Sequence, residues 1–274
     1  MTQITTHLRK MSTTLDNQAQ YMLHLVDILD YTGKFFLNPL VGTTIKIEFL
    51  KEIHCVETGK KIKKTFGEGM SYEAYINSPM ASPSIVNPEL SRIHEGIALR
   101  DYKWEMAHHN QPHYVYLSRT SGIKVGVTRV TNIPSRWIDQ GASEAIIIAE
   151  TPYRQLAGLI EVALKDTMAD KTAWQAMLKN TVNDTTSLVI KKNEVFEILA
   201  DQYQDFFFDD DTITHISYPV LNYPLKVKSA KLDTQPVIQG KLIGIKGQYL
   251  LFEDGTVFNV RSHAGYKVQL TALE

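Results

Sequence analysis

The sequence predicts an α+β protein, in which a central domain of strands and helices is flanked by β-structure on both sides. Three observations predict this class. Segments rich in β-forming residues occur early in the chain, at 21–26 and 45–50, and short β-rich segments separated by glycines fill 213–274. Between them, residues 113–161 have the pattern of a β-hairpin, a short helix, a strand and a longer helix. We expect the flanking β-segments to form a small barrel.

Composition sets limits on the class of protein. The 274 residues suffice for one large domain or two to three small ones, and 43% hydrophobic with 22% charged residues is typical of a soluble globular chain. With 29 basic and 30 acidic residues, the net charge attracts neither nucleic acid nor membranes, so binding to a polyanion requires a local patch. A single cysteine, Cys55, and the absence of a signal-peptide pattern predict a cytoplasmic protein with no membrane segment and no disulfide-linked partner.

The chain divides into four predicted segments. These are an N-terminal β-segment (1–53), an irregular insert (54–104), a central domain (105–205) and a C-terminal small β-barrel (206–274). The insert is rich in turn-forming and charged residues and has too few periodic apolar residues to build a core. Its lysines could contact phosphates or could equally belong to a solvated loop: Lys60, Lys61, Lys63 and Lys64.

The central domain has clear signals for each element. Strands are expected at 114–118 and 123–129 with Gly122 in the turn between them, followed by a short helix at 135–140 and a strand at 145–150. Thr151-Pro152 then begins a helix, because a hydroxyl N-cap followed by proline favours helix initiation. The apolar stripe predicted for this helix consists of Leu156, Leu159, Ile160, Ala163 and Leu164.

Four short motifs follow this order of elements. They are Tyr114-Val115-Tyr116, Lys124-Val125-Gly126, Arg136 followed by Trp137, and Glu161. Together they resemble the GIY-YIG nuclease domain, in which two tripeptides on adjacent strands precede a helical arginine and a glutamate on a later helix. Lys124 stands where the second tripeptide of that family has a tyrosine, which replaces a hydroxyl group with a cation.

The resemblance implies a chemistry for these residues. Tyr116 would act as the base that activates water, Arg136 would stabilise the charge developing on the phosphate, and Glu161 would bind Mg²⁺. One carboxylate suffices because Mg²⁺ keeps several waters. Contacts to DNA or RNA are assigned to Tyr114, Lys124, Gly126, Arg129, Trp137 and Arg154.

Each of these residues also has a structural interpretation. The two tyrosines could be ordinary half-buried strand aromatics. Glu161 and Lys165 could form an i,i+4 pair on a helix surface, and Trp137 could stack on a base or fill a core. The adjacent histidines His108 and His109 are expected to face water.

A second resemblance covers nearly the whole chain and is carried by several runs of residues: 87–96, 122–129, 133–142, Asp170-Lys171-Thr172, Trp174, 177–179 and 241–252. These runs resemble the bacterial family called domain of unknown function 2797, which has no established activity. Relatives often carry paired cysteines like those of a zinc ribbon where this chain has 54–75. Here only Cys55 remains, so we predict no zinc and a segment held by packing alone.

The function expected from the sequence is therefore nucleic-acid binding, with Mg²⁺-dependent phosphodiester hydrolysis as the activity that the nuclease resemblance implies. The alternative is a catalytically inactive interaction or RNA-binding module. The local charge favours the first, because between His113 and Gln140 four cationic residues face one acid. These residues are Arg119, Lys124, Arg129 and Arg136 against Asp139.

Overall fold

The structure, a computed structural model, describes residues 2–165 and 173–273. The run Asp170-Lys171-Thr172 lies outside them. The helices are α1 (Tyr72–Asn77), α2 (Pro83–Val86), α3 (Tyr102–His109), α4 (Ser135–Asp139), α5 (Arg154–Leu164), α6 (Trp174–Leu178) and α7 (Leu188–Tyr203). The strands are β1 (Thr2–His7), β2 (Ser12–Leu15), β3 (Ala19–Asp27), β4 (Asp30–Phe36), β5 (Thr44–Ile53), β6 (His113–Arg119), β7 (Ile123–Arg129), β8 (Glu144–Thr151), β9 (Thr214–His215), β10 (Lys228–Ala230), β11 (Val237–Lys246), β12 (Tyr249–Phe252), β13 (Thr256–Asn259) and β14 (Tyr266–Leu273).

The chain folds as two compact units, each discontinuous in sequence. The first unit contains 1–76, 138–141 and 217–274, and the second contains 77–137 and 142–216. The mixture of strands and helices confirms the predicted α+β class. Within the described residues, none of the helices is long and apolar enough to span a membrane.

The first unit is built on an open sheet with strand order β1-β14-β5-β11-β12-β13-β10, accompanied by the antiparallel sheet β2-β3-β4. The β-rich segment predicted at 45–50 lies in β5, where Ile45 and Ile47 are buried while the intervening Lys46 is half-buried. Both flanking β-segments contribute to one sheet, as expected, since β5 pairs with β11 on one side and β14 on the other.

The closed small barrel predicted for the C-terminal segment is not found among the described residues. Strands β1 and β10 form the two edges of the sheet and do not pair with each other. One reason is that β10 has only three residues, so it provides a short edge and pairs with β13 alone. A second is that the start of the β-rich region 213–274 forms a strand only at Thr214–His215, which pairs with β8 in the second unit.

The structure confirms the predicted hairpin, short helix, strand and helix as β6, β7, α4, β8 and α5, which belong to the second unit except for the last two residues of α4. The sheet of this unit has the order β7-β6-β8-β9, with β6 central and antiparallel to both neighbours. Helices α5 and α7 cover one face of this sheet. Their shared core includes Val115, Leu117, Ile146, Ile160, Leu164, Val195 and Leu199.

The apolar stripe predicted for α5 is partly wrong. Leu159 is 41% exposed and Ala163 is also exposed, whereas Ala157 and Gly158 are buried. The small residues decide the orientation of the helix, because they allow its axis to come close to a neighbouring 3-10 turn at Pro88–Leu90. The buried face therefore includes Ala157 and Gly158 with Ile160 and Leu164, and it excludes Leu159 and Ala163.

The irregular insert divides between the units. Its first part, around 54–75, has short bridges rather than long strands and surrounds a small apolar cluster of Cys55, Met70 and Ala74. The Cys55 sulfur accepts a hydrogen bond from the Ser71 amide at 3.2 Å. The part from residue 77 onward belongs to the second unit and includes α2 and α3, which contribute to the candidate site.

Candidate functional site

A polar cleft of about 170 Å³ opens in the second unit. Three arginines from three different elements line it: Arg129 at the end of β7, Arg136 in α4 and Arg154 at the start of α5. The hairpin register and the α4 and α5 helices bring these residues together although they are up to 25 positions apart. Trp104, His108 and His109 of α3 line the same cleft.

The three guanidinium groups influence one another. Burial, together with the nearby charges of Arg136 and Arg129, lowers the pKa of Arg154 to about 10, although Glu161 and Glu89 act in the opposite direction. Arg154 is held in place by two hydrogen bonds to α2: its Nε atom donates to the Ser84 carbonyl oxygen at 2.9 Å and its Nη2 atom donates to the Ile85 carbonyl oxygen at 3.0 Å. The cleft thus concentrates positive charge in a partly buried site.

The buried histidines beside the cleft are neutral at pH 7. Burial, with further lowering by Arg154, reduces the pKa of His109 to about 3. The pKa of His113 falls to about 4, first through burial and then through Arg154 and Arg129, against an opposing hydrogen bond to the Gln111 carbonyl. The positive charge of the cleft therefore comes from its arginines.

Helix α3 supplies a flat aromatic surface. The rings of Trp104 and His108 stack with centroids 4.0 Å apart and an interplanar angle of 10°. Asp101 caps the helix by accepting from the Trp104 amide at 2.7 Å. The fully buried Glu105 carboxylate accepts from the backbone amides of residues 99–101, which anchors the first turn. The stacked pair is therefore held on a well-anchored element.

Two carboxylates lie near the arginines. Burial raises the pKa of Glu161, Glu89 raises it further, and Lys165, Arg154 and Arg136 lower it. Glu161 is thus within electrostatic reach of the cleft arginines as well as of Lys165. The Glu89 Oε2 atom is buried and accepts no hydrogen bond from the described residues.

The nuclease resemblance implies Mg²⁺, and Glu161 and Glu89 are the two carboxylates near the cleft arginines that could hold it. A buried carboxylate oxygen without a donor, near a second half-buried carboxylate, is an arrangement that a divalent cation stabilises. Glu161 and Glu89 would be its ligands. Among the described residues, no three His, Cys, Asp or Glu side chains gather as a metal-binding group, so water would supply most of the coordination.

Tyr116 lies in a packed layer on the opposite side of the sheet from the α5–α7 core. Its side chain is fully buried and makes an edge contact with Trp137, with ring centroids 5.9 Å apart. It covers Gly126 on the adjacent strand, where a Cβ atom would lie 2.6 Å from the phenol oxygen. A side chain at 126 would therefore force the Tyr116 ring to move. Trp137 is only 3% exposed and fills this core.

The structure brings some of the predicted site residues together and separates others. Arg129, Arg136 and Arg154 line the cleft, and Glu161 is within electrostatic reach. The described lining of the cleft does not include Tyr116. The remaining predicted contacts lie elsewhere: Tyr114 is half-buried with its ring edge against Phe208 at 5.7 Å, Lys124 is half-buried on β7, and Gly126 and Trp137 are buried.

Sequence reasoning missed the α3 residues and Glu89. The expectation that His108 and His109 face water was wrong for His109, which is 2% exposed and hydrogen-bonds Ser91 through Nδ1 at 3.1 Å. The available signal was the spacing of Trp104 and His108, which places both on one face of a helix. The prediction of an irregular segment at this place conceals the helical spacing of Trp104 and His108.

Comparisons with known proteins identify the family of the chain but assign no activity to it. Neither the curated proteins nor the solved structures yielded a match. The sequence model of one family, described as "Protein of unknown function (DUF2797)", matches residues 42–268, which include every residue of the cleft. The chain belongs to the DUF2797 family.

Proposed function

We propose that this protein binds nucleic acid by holding a backbone phosphate in the arginine cleft. The observation that carries the proposal is the convergence of Arg129, Arg136 and Arg154 on one cavity. Guanidinium groups suit phosphate because they present several donors in a planar fork that can bind two oxygens at once. The stacked Trp104 and His108 rings add a surface on which a base can stack.

The distribution of charge supports a local binding site. The chain as a whole has a net charge of −1, so no general attraction to polyanions exists. Within the cleft, however, the arginines are close enough to lower the pKa of Arg154. An anion that enters would relieve this repulsion, and release of its counterions would add to the affinity.

A second candidate function is hydrolysis of the bound phosphodiester. Support comes from the resemblance to the GIY-YIG nuclease domain and from the element order β6-β7-α4-β8-α5 with β6 at the centre of the sheet. Arg136 and Arg154 would hold the phosphate and stabilise its developing charge. Mg²⁺, bound through Glu161 and Glu89, would polarise a phosphate oxygen.

One observation favours the binding function without catalysis. Tyr116, to which the resemblance assigns the base, is fully buried between Gly126 and Trp137. A base must reach the attacking water within hydrogen-bonding distance. The proposal therefore gives priority to phosphate binding and treats cleavage as a separate question for experiment.

The test uses fluorescently labelled single- and double-stranded DNA and RNA, with anisotropy measured in EDTA and cleavage followed on denaturing gels with Mg²⁺. We expect binding to at least one nucleic acid, weakened about tenfold or more by Arg136→Gln or Arg154→Gln. Lys191→Gln is the matched control, because it also removes one cation from the second unit. Lys191 lies on α7, where it pairs with Glu194. Absence of binding to every substrate, or equal losses in all three variants, would refute the proposal.

A further inference from the structure

We propose that the arginine cleft selects the terminal phosphate monoester of a nucleic-acid strand over an internal phosphodiester, with the terminal base stacked at Trp104 and His108. This inference rests on the proposed function, since it specifies which phosphate of a nucleic acid the cleft binds. Three properties of the site support it: its charge, its size and the position of its aromatic surface.

The charge of the site matches a monoester better than a diester. An internal phosphodiester carries one negative charge, whereas a phosphate monoester carries about −1.5 to −2 at pH 7. Three guanidinium groups line the cleft, whereas Glu161 and Glu89 act on Arg154 from outside the described lining and offset only part of the positive charge. The buried histidines nearby add no positive charge, so the positive charge of the site depends on its arginines. A more highly charged anion gains more from such a cluster.

The size of the site favours a group that projects from the end of a chain. The cavity of about 170 Å³ is below the roughly 300–1,000 Å³ that encloses a whole drug-sized ligand. An internal phosphate is flanked by a sugar on each side, so both neighbours would have to fit beside it. A terminal phosphate is attached at one side only. It can therefore enter a recess in which Arg154 is held against the backbone of α2.

The aromatic surface lies where a terminal base could reach it. Trp104 and His108 line the same cavity as the arginines, so a phosphate held by the arginines would leave its own nucleotide beside these rings. Stacking on an aromatic side chain adds affinity for any base, because every base has a π-face. The lining of the cleft also provides polar groups beyond the arginines, since Thr128 and Asn132 contribute to it.

The experiment compares oligonucleotides of one sequence that differ only at their ends. Ten-nucleotide single strands carrying a 5′-phosphate, a 3′-phosphate or hydroxyl groups at both ends are titrated in EDTA, with the label at the opposite end. We expect the strand with one kind of terminal phosphate to bind about tenfold or more tightly than the hydroxyl strand. A strand with an abasic sugar beside that phosphate should bind about tenfold more weakly than the intact strand.

Variants separate the phosphate from the base. Trp104→Leu should weaken binding of the phosphorylated strand severalfold and leave competition by inorganic phosphate unchanged. Tyr102→Leu is its control, since Tyr102 lies on the same helix, is 52% exposed and is not among the described cleft residues. Arg136→Gln should abolish the advantage of the phosphorylated end.

The outcomes distinguish this inference from the proposed function. If phosphorylated and hydroxyl strands bind equally and the arginine variants weaken both, the terminal preference is refuted and the proposed function stands. If no strand binds, both are refuted. The comparison of strands with the wild-type protein decides the question even if a variant fails to fold.

Discussion

Substitution of Gly158 by alanine tests how α5 is packed in the second unit. A Cβ atom at this position would lie 2.2 Å from the Glu89 nitrogen and 2.6 Å from the Pro88 carbonyl carbon. Since non-bonded atoms pack at about 3.5 Å, the 3-10 turn at Pro88–Leu90 would have to move by more than about 1 Å. Both obstructing atoms belong to the backbone, so rotation of a side chain gives no relief.

The magnitude follows from two opposing effects. Overpacking costs about 1–3 kcal/mol, and a backbone clash on this scale belongs at the upper end. In the opposite direction, the higher helix propensity of alanine relative to glycine adds about 1 kcal/mol to the free energy of unfolding. We therefore expect Gly158→Ala to lower the free energy of unfolding of the second unit by about 2 kcal/mol. Displacement of Glu89 should also alter the cleft, so oligonucleotide binding should weaken.

The assay is urea unfolding followed by tryptophan fluorescence. All three tryptophans, Trp104, Trp137 and Trp174, lie in the second unit, so the signal reports on that unit. Gly122→Ala is the matched control, because nothing lies within 4 Å of the added Cβ, and it should change stability by less than about 0.5 kcal/mol. Equal or higher stability of Gly158→Ala relative to this control would show that the close approach is not needed.

Three further predictions concern the same unit. The unfolded chain binds a proton near pH 6.5 that the buried His113 ring, with its pKa of about 4, does not accept. This one group is therefore expected to lower the free energy of unfolding by about 3 kcal/mol as pH drops from 6.5 to 4, and a shallower slope of unfolding free energy against pH in His113→Gln would identify its contribution. Ile160→Ala should cost about 3 kcal/mol, whereas Leu159→Ala should cost less than about 1 kcal/mol, and similar losses would contradict the observed orientation of α5. Any Mg²⁺-dependent nicking should disappear in Glu161→Gln with the fold retained, as judged by circular dichroism; unchanged nicking would exclude Glu161 as a metal ligand.

Local patterns predicted the elements of the second unit well. The hairpin around Gly122, the proline after Thr151 and the β-rich segment at 145–150 each depend on neighbouring residues, so their signals are present in short windows of sequence. The structure confirms the hairpin as β6–β7 and the β-rich segment as β8. The predicted helix start at Thr151-Pro152 is wrong, because Thr151 ends β8 and α5 begins at Arg154 with Tyr153 as its N-cap. The convergence of Arg129 and Arg154 on one cleft follows from this order of elements.

Features that depend on distant contacts were not predictable in this way. Whether a sheet closes into a barrel depends on the pairing of its edge strands, and the weak strand at Lys228–Ala230 left that edge open. The orientation of α5 depends on its contact with Pro88–Leu90, which is about 70 residues away in sequence. Burial of Trp137 and Tyr116 likewise depends on their mutual contact.

The most direct test of the central claim is the salt dependence of oligonucleotide binding. The logarithm of the association constant of a labelled single strand is plotted against the logarithm of salt concentration for the wild-type protein and for Arg136→Gln/Arg154→Gln. Because each neutralised phosphate of a single strand contributes about 0.7 to this slope, we expect the slope of the double variant to fall by about 0.7–1.4 with much weaker binding. An unchanged slope and affinity would contradict phosphate binding in the arginine cleft.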